Sequence, residues 1–210
     1  MLMAMKKKHI ITLSGKPGSG KSSTADKVAE LLGYTRHSSG DMVRQILKKK
    51  HMTLEEYNEL AEEEHDLDAL VDDKLRSLRD ENDIIVDSRL GFYWIPESFK
   101  VYLDLNLDVA TARIYKDIVS NSRRSGEGGN QSLPSVARSV RERMENERAR
   151  FRSMYGVDPY NLRNFDLVID TSRHTPQSVA LTVFDNYKDW LNTDTWTQRT
   201  SSIPLGFSLE

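Results

Sequence analysis

Residues 10–24, IITLSGKPGSGKSST, carry the residue types that hold phosphate, at the spacing phosphate needs. Their frame is Gly15-x-x-x-x-Gly20-Lys21-Ser22. Glycines allow successive backbone N–H groups to turn toward one point and cradle phosphate oxygens. Lys21 adds a mobile positive charge for the transferring phosphates, and the Ser22 hydroxyl is of the type that ligates Mg²⁺. The context strengthens the pattern. An apolar run, Ile10-Ile11-Thr12-Leu13, precedes it, and a helical pattern with Ala25, Val28, Ala29, Leu31 and Leu32 apolar follows it. An anion held there would sit at a helix N-terminus, where the dipole adds roughly 0.3–1 kcal/mol to the direct hydrogen bonds.

Three further clusters carry chemistry. Ser38-Ser39-Gly40-Asp41-Met42-Val43-Arg44 places Asp41 and Arg44 three apart at a helix start, on one face. Asp41 either caps the helix and pairs with Arg44, or Arg44 holds the phosphate of a second substrate opposite the glycine-rich loop. Asp87-Ser88-Arg89 ends an apolar strand, and ligands of open parallel sheets bind beyond the carboxyl ends of strands. Asp87 is placed to hold a Mg²⁺ water and Arg89 to reach a phosphate; a plain strand-end ion pair is the alternative. Phe92-Tyr93-Trp94 follows, suited to core or lid packing or to stacking on a base. The fourth cluster is an arginine-rich helix over about 134–155. Val136, Val140, Met144, Phe151, Met154 and Tyr155 form its apolar stripe, with Arg143 and Arg150 on one margin and Arg141, Arg148 and Arg152 on the other.

The reaction class narrows by what is missing. Neither Asn-Lys-x-Asp nor Asp-x-x-Gly occurs, so GTPase chemistry lacks its residues. Asp87 is followed by Ser88 and Arg89, not by a glutamate that would polarise water. An arginine there favours a second anionic substrate. Phosphoryl transfer needs positioning and charge neutralisation more than covalent help, and a water-excluding lid suppresses hydrolysis.

The elements that must position these groups are readable as an alternation. Strand-like runs at 9–13, 34–37, 84–87, 99–104 and 166–170 are separated by helical patterns, including 41–50 and 53–81, as in a parallel-sheet α/β domain. Gly33 reads as a helix C-cap. Residues 121–135 are polar and glycine-rich and read as a mobile loop, after which Ser132 or Ser135 caps the next helix with Pro134 in its first turn. Residues 8–190 form one domain, with an insert over 40–82 and a lid over 120–152. Residues 191–210 lose periodicity and read as a flexible tail.

The chain has 210 residues and a net charge of −2. That balance hides an asymmetry: residues 53–83 hold thirteen acids against three Lys/Arg, and residues 113–152 hold nine arginines. Arginine suits planar, bidentate phosphate recognition. The acidic segment argues against nucleic acid as a partner. There is no cysteine, which fits a reducing compartment such as the cytoplasm. No apolar run approaches the ~20 residues of a membrane span, so no membrane partner is expected.

In sum of motifs the chain resembles the cytidylate kinases of the archaeal, or type 2, branch, within the nucleoside monophosphate kinases. The resemblance spans about residues 8–185. It rests on ITLSGKPGSGKSS, SSGDMVRQI, MTLEEYNELAEEE, VDSRL, VYLDLNLDVATARI, RERMENERARFRSMYGVD and DLVIDTSRHTPQSV, in that order. It implies a three-layer P-loop kinase fold: a twisted five-stranded parallel sheet with helices on both faces, an acceptor-binding helical insert and a mobile lid. The implied reaction is transfer from ATP, with Mg²⁺, to CMP or dCMP by a monomer. Carried over by position, Gly15, Lys16, Pro17, Gly18, Ser19, Gly20, Lys21, Ser22 and Ser23 bind ATP phosphates, and Arg173 borders the adenine. Asp41, Arg44 and Arg89 line the monophosphate site. Lys21, Arg143 and Arg148 are catalytic, the last two from the lid, and Ser22 and Asp87 serve the metal. Asp87-Ser88-Arg89 stands where the family often has Glu-Gly-Arg, so the acceptor stays open: AMP, UMP or a small metabolite would use the same frame. A nucleotide-binding regulatory module without turnover is the rival from another class.

Overall fold

The computed structural model describes residues 7–52, 66–125 and 132–201. Six strands, β1 (Ile10–Gly15), β2 (Thr35–Ser38), β3 (Ile84–Asp87), β4 (Phe99–Asp104), β5 (Leu167–Asp170) and β6 (Arg199–Ser201), form one sheet in the order β2-β3-β1-β4-β5-β6. Every neighbouring pair is parallel. Among the described residues seven helices connect or flank them: α1 (Lys21–Leu32), α2 (Ser39–Lys50), α3 (Asp66–Ser77), α4 (Gly91–Trp94), α5 (Leu107–Ser125), α6 (Leu133–Tyr155) and α7 (Pro176–Leu191). The 53–65 half of the expected acidic helix and residues 126–131 of the expected loop lie outside the described residues.

Strand alternation sorts the core into layers. Ile11, Leu13, Ile85, Phe99, Val101, Leu103, Leu167 and Ile169 face α1 and α7, meeting Ala25, Val28, Val179, Ala180 and Val183. The intervening residues face the other way. Ile10, Ile84 and Val86 pack on Met42 of α2 and on Val71 and Leu75 of α3. Tyr102 and Val168 pack under Val136, Val140, Met144 and Phe151 of α6. The stripe expected on the arginine-rich helix is therefore what seats α6 on the sheet. Ser132 caps it, in reciprocal bonds with Ser135, and Gly156 ends it in the left-handed region at φ 68°. Phe92 is buried 4.8 Å from the Phe165 ring, and Trp94 Nε1 donates to Asp72 Oδ1 at 2.9 Å. Phe92 and Trp94 are thus committed to packing, and Trp94 anchors α3, while Tyr93 stays exposed beside Trp94 and Tyr155.

The sheet has one strand more than the five expected, and the addition comes from the segment read as a tail. Residues 199–201 pair with β5, and Trp196 lies 5.7 Å from the Phe99 ring while its Nε1 donates to Asp166 O at 3.1 Å. The sequence hid this because one tryptophan and three polar strand residues, Arg199, Thr200 and Ser201, make no periodic pattern. Trp196→Ala should cost about 2 kcal/mol, below the 3–5 of a fully buried ring, and lower the melting temperature by about 4–8 °C. Thermal melts check this; an unchanged midpoint would mean that β6 is not part of the cooperative unit.

Candidate active site

The loops after β1, β3 and β4 lie side by side at the carboxyl edge of the sheet, and the site grows from the first. Gly15 has φ 154°, and a Cβ there would sit 2.4 Å from Leu103 O. Gly18, at φ 73°, faces Ala110 of α5, whose carbonyl oxygen would be 3.0 Å from an added Cβ. Both turns therefore need glycine. Gly20 is the N-cap of α1, with no side-chain cap and no acid in the first turn. The opening N–H groups of a twelve-residue helix have no side-chain cap, an arrangement that favours an anion. The Ser19 hydroxyl is buried within the same loop and has no hydrogen-bond partner among the described residues. Uncapped amides and an orphaned hydroxyl around one turn fit a phosphate chain.

Lys21 rises from this loop with its side chain 18% exposed and Nζ 4.0 Å from Asp87 Oδ1. Burial first, and then the Arg89 charge, lower its pKa to about 8, while Asp87 and Glu147 oppose the drop. Asp87 Oδ2 accepts from Ser22 Oγ at 2.8 Å and from Arg36 Nη2 at 3.1 Å. The strand register explains the second contact: Ser38 of β2 lies beside Asp87 of β3, which places Arg36 within reach. Ser22 and Asp87 together are two hard oxygen donors, as suits Mg²⁺, which keeps waters and substrate phosphates in its remaining positions. Among the described residues no cluster of three or more His, Asp or Glu side chains is placed to hold a metal ion.

Arg89 projects from the end of β3 under α6. Its Nε donates to Glu147 Oε2 at 2.8 Å and its Nη1 to Gly15 O. Burial opposes its charge, but the Glu147 carboxylate more than restores it and its pKa is raised. Glu147 Oε1 accepts from Arg143 Nε at 3.0 Å, and the Tyr160 hydroxyl donates to Oε2. Arg143 is 63% exposed and its charge is felt at Lys21. So Lys21, Arg89 and Arg143 converge beside Gly15.

The other expected residues are placed differently. Spacing along the helix offers Arg148 the partner Glu145, three residues back. It pairs instead with Asp158 Oδ2 at 3.2 Å, shared with Arg152, and its guanidinium lies 5.4 Å from the centre of the Tyr160 ring. Asp41 is not the cap of α2; Ser38 is, accepting from Asp41 N at 3.3 Å. Asp41 instead takes Arg44, whose bond is the main cause of its lowered pKa, and it lies 3.7 Å from Arg36. Arg44 stays 71% exposed on α2. Lys16 turns away from the loop's mouth to Asp104 Oδ1 at 2.6 Å. Arg173 is exposed. The guanidinium that ties its loop to the site is Arg113, which donates to Thr171 O at 2.7 Å and to Gly18 O at 3.4 Å.

Arg36, Arg113 and Tyr160 escaped the sequence. Arg36 needs the β2–β3 register to be known. Arg113 had a signal: it shares a helix face with Ala110, whose small side chain the Gly18 turn requires. Tyr160 lies in an irregular stretch with no pattern to mark it.

Residues 10–173 match the model of the cytidylate kinase-like family. The chain is 34% identical over 180 residues to a cytidylate kinase of Halobacterium salinarum, covering 84% of this chain and 88% of that one. It is 35% identical over 164 residues to a cytidylate kinase of Methanothrix thermoacetophila, covering 78% and 89%. It is also 33% identical over 180 residues to an S-adenosylmethionine-dependent nucleotide dehydratase of Lacinutrix mariniflava, covering 85% of this chain and 36% of that longer protein. Among solved structures, a shikimate kinase from Acinetobacter baumannii bound to shikimate superposes with a TM-score of 0.56 at 16% identity, covering 89% of this chain and 96% of that one. An uncharacterized Eubacterium ventriosum protein gives 0.61 at 14% identity, covering 86% and 99%. These structural likenesses bear on the fold, which they share. With its phosphate loop, its converging cations and a match running through both, the chain belongs to the cytidylate kinase-like family and is a phosphotransferase.

Proposed function

We propose that this protein transfers the γ-phosphate of ATP to CMP or dCMP, giving ADP and CDP or dCDP. The observation that carries the reading is the convergence of Lys21, Arg89 and Arg143 beside the loop that begins at Gly15, with Ser22 and Asp87 adjoining. Backbone N–H groups of Gly18 and of Gly20 to Ser23, with the Ser19 hydroxyl, hold the donor phosphates. Ser22 and Asp87 would hold Mg²⁺, which would supply charge neutralisation on the phosphates. Arg44 and Arg89 take the acceptor's phosphate, and Lys21, Arg143 and Arg148 meet the charge that spreads over the transferring group. Arg113 and Arg173 border the donor's base. Work on pyrimidine nucleotides in the cytoplasm follows from this reading. No helix among the described residues is long and apolar enough to cross a membrane.

A panel measuring ADP release against CMP, dCMP, UMP, AMP and GMP tests the acceptor. CMP and dCMP should give the highest kcat/KM; a higher value for AMP would overturn the cytidylate assignment and leave the kinase assignment standing.

The lowered pKa of Lys21 adds a pH signature. Lys21 is charged below about pH 8 in the nucleotide-free protein and neutral above it. Since kcat/KM reports the free enzyme, kcat/KM for ATP should fall as pH rises through about 8. Bound phosphates favour the charged form, so kcat should hold to higher pH. A kcat/KM profile flat to pH 10 would contradict a binding role for the Lys21 charge.

A further inference from the structure

We propose that Glu147 is a positioning residue for phosphoryl transfer: its carboxylate aims Arg89 and Arg143 at the phosphate site and ties α6 to the P-loop. The inference rests on the kinase reading above. On sequence Glu147 is one of three glutamates on an arginine-rich helix, the kind of residue that pairs on a solvated surface. In the structure its side chain is only 13% exposed. Both oxygens are committed: Oε2 takes Arg89 Nε at 2.8 Å and the Tyr160 hydroxyl, and Oε1 takes Arg143 Nε at 3.0 Å.

Three donors from three places in the chain thus meet on one carboxylate. Arg89 comes from the end of β3, Arg143 from one turn back on α6, and Tyr160 from beyond its C-terminus. The chain of hydrogen bonds continues from Arg89 Nη1 to Gly15 O, so the helix reaches the backbone of the loop that holds phosphate. With Nε and Nη1 engaged, Arg89 keeps Nη2 to offer; among the described residues no hydrogen bond takes it. Arg143 spends only Nε and keeps both Nη groups. Without the carboxylate Arg143 would be a long, 63% exposed side chain with rotamers to lose on binding. Held this way, its fork is aligned before substrate arrives, which is what positioning contributes to catalysis. Burial alone would raise the Glu147 pKa; Arg89, the Tyr160 hydroxyl and Arg143 override it and hold it down at about 2. The carboxylate is therefore charged at any working pH. A residue kept only for packing could be apolar, because a buried ion pair is a poor source of stability.

The test is a set of steady-state and binding measurements on Glu147→Gln, Arg143→Ala and the double variant, with thermal melts of each. Glu147→Gln keeps size and one acceptor but loses the charge and faces a donor with a donor. It should lower the melting temperature by several degrees, because the buried Arg89 loses its counter-charge, yet leave the protein folded at assay temperature. It should bind a non-hydrolysable ATP analogue within about threefold and lower kcat about 100-fold, the scale of a misplacement near 1 Å. In the Arg143→Ala background the same change should cost under about tenfold, since groups acting as a unit are not additive. A folded Glu147→Gln with kcat within threefold of wild type overturns the proposal, and so does an undiminished loss in the Arg143→Ala background. If Glu147→Gln fails to fold, Tyr160→Phe decides: it removes one donor from the carboxylate and no charge. It should lower kcat several-fold at unchanged analogue affinity, and an unchanged kcat overturns the proposal. Wild-type protein that phosphorylates no nucleoside monophosphate would instead overturn the kinase reading, an outcome separate from these.

Discussion

Lys21→Ala should lower kcat by at least about 100-fold while leaving the fold intact. The size follows from losing a charge aimed at the transferring phosphates in a water-poor site, where one such donor is worth about 10²–10³ in rate. The fold should survive because the truncation opens no core: Lys21 is the first residue of α1, and its one ion pair is long, at 4.0 Å. Asp87 would keep Ser22 and Arg36 as partners, so no buried charge is stranded. Circular dichroism and melting check the second half, steady-state kinetics the first. A variant keeping more than about a tenth of wild-type kcat would have lost under ~1.4 kcal/mol of barrier stabilisation, too little for the role given to this lysine.

The second large effect is expected at Arg143. Arg143→Ala should reduce kcat by on the order of 10²- to 10³-fold with little change in KM for either substrate, the pattern of an interaction made only in the transition state. Arg143 is the cleanest of the cations to remove. It is exposed, whereas deleting Arg89 would strip Glu147 of its buried counter-charge and leave it only the exposed Arg143, which is itself destabilising. Arg148→Ala is the comparison. Arg148 is tied to Asp158 and stacked near Tyr160, so it must leave that pairing to reach a phosphate. A kcat for Arg148→Ala within threefold of wild type would make it scaffold; a loss larger than that of Arg143→Ala would reverse the assignment of the two. Arg44→Ala should instead raise KM for the monophosphate and spare KM for ATP.

The sequence revealed the elements whose residues are regular and whose interactions are local. The phosphate loop was readable because its function is written in backbone conformation, and Gly15 and Gly18 can be nothing else. Strands β1, β3, β4 and β5 were readable because they are largely buried and apolar, whereas β2, Thr35–Ser38, is a polar, half-exposed edge strand. The α6 stripe and its Ser132 cap were readable because both depend on neighbours within a few residues. What stayed hidden depends on register between distant segments. Arg36 meets Asp87 only because β2 pairs with β3 as it does, and Arg148 meets Asp158 only because the chain folds back after Gly156. Glu147 looked like surface charge because its burial is produced by Arg89 and Tyr160, neither of which is near it in spacing. The β6 strand is short, polar and pinned by a single tryptophan, which no window of hydropathy detects.

The most direct test of the central claim is to follow the phosphorus. Purified protein incubated with [γ-³²P]ATP, Mg²⁺ and CMP should yield labelled CDP, with ADP formed in equal amount and little labelled inorganic phosphate. Label released as phosphate while CMP stays unmodified, or no release at all with any nucleoside monophosphate, would contradict it.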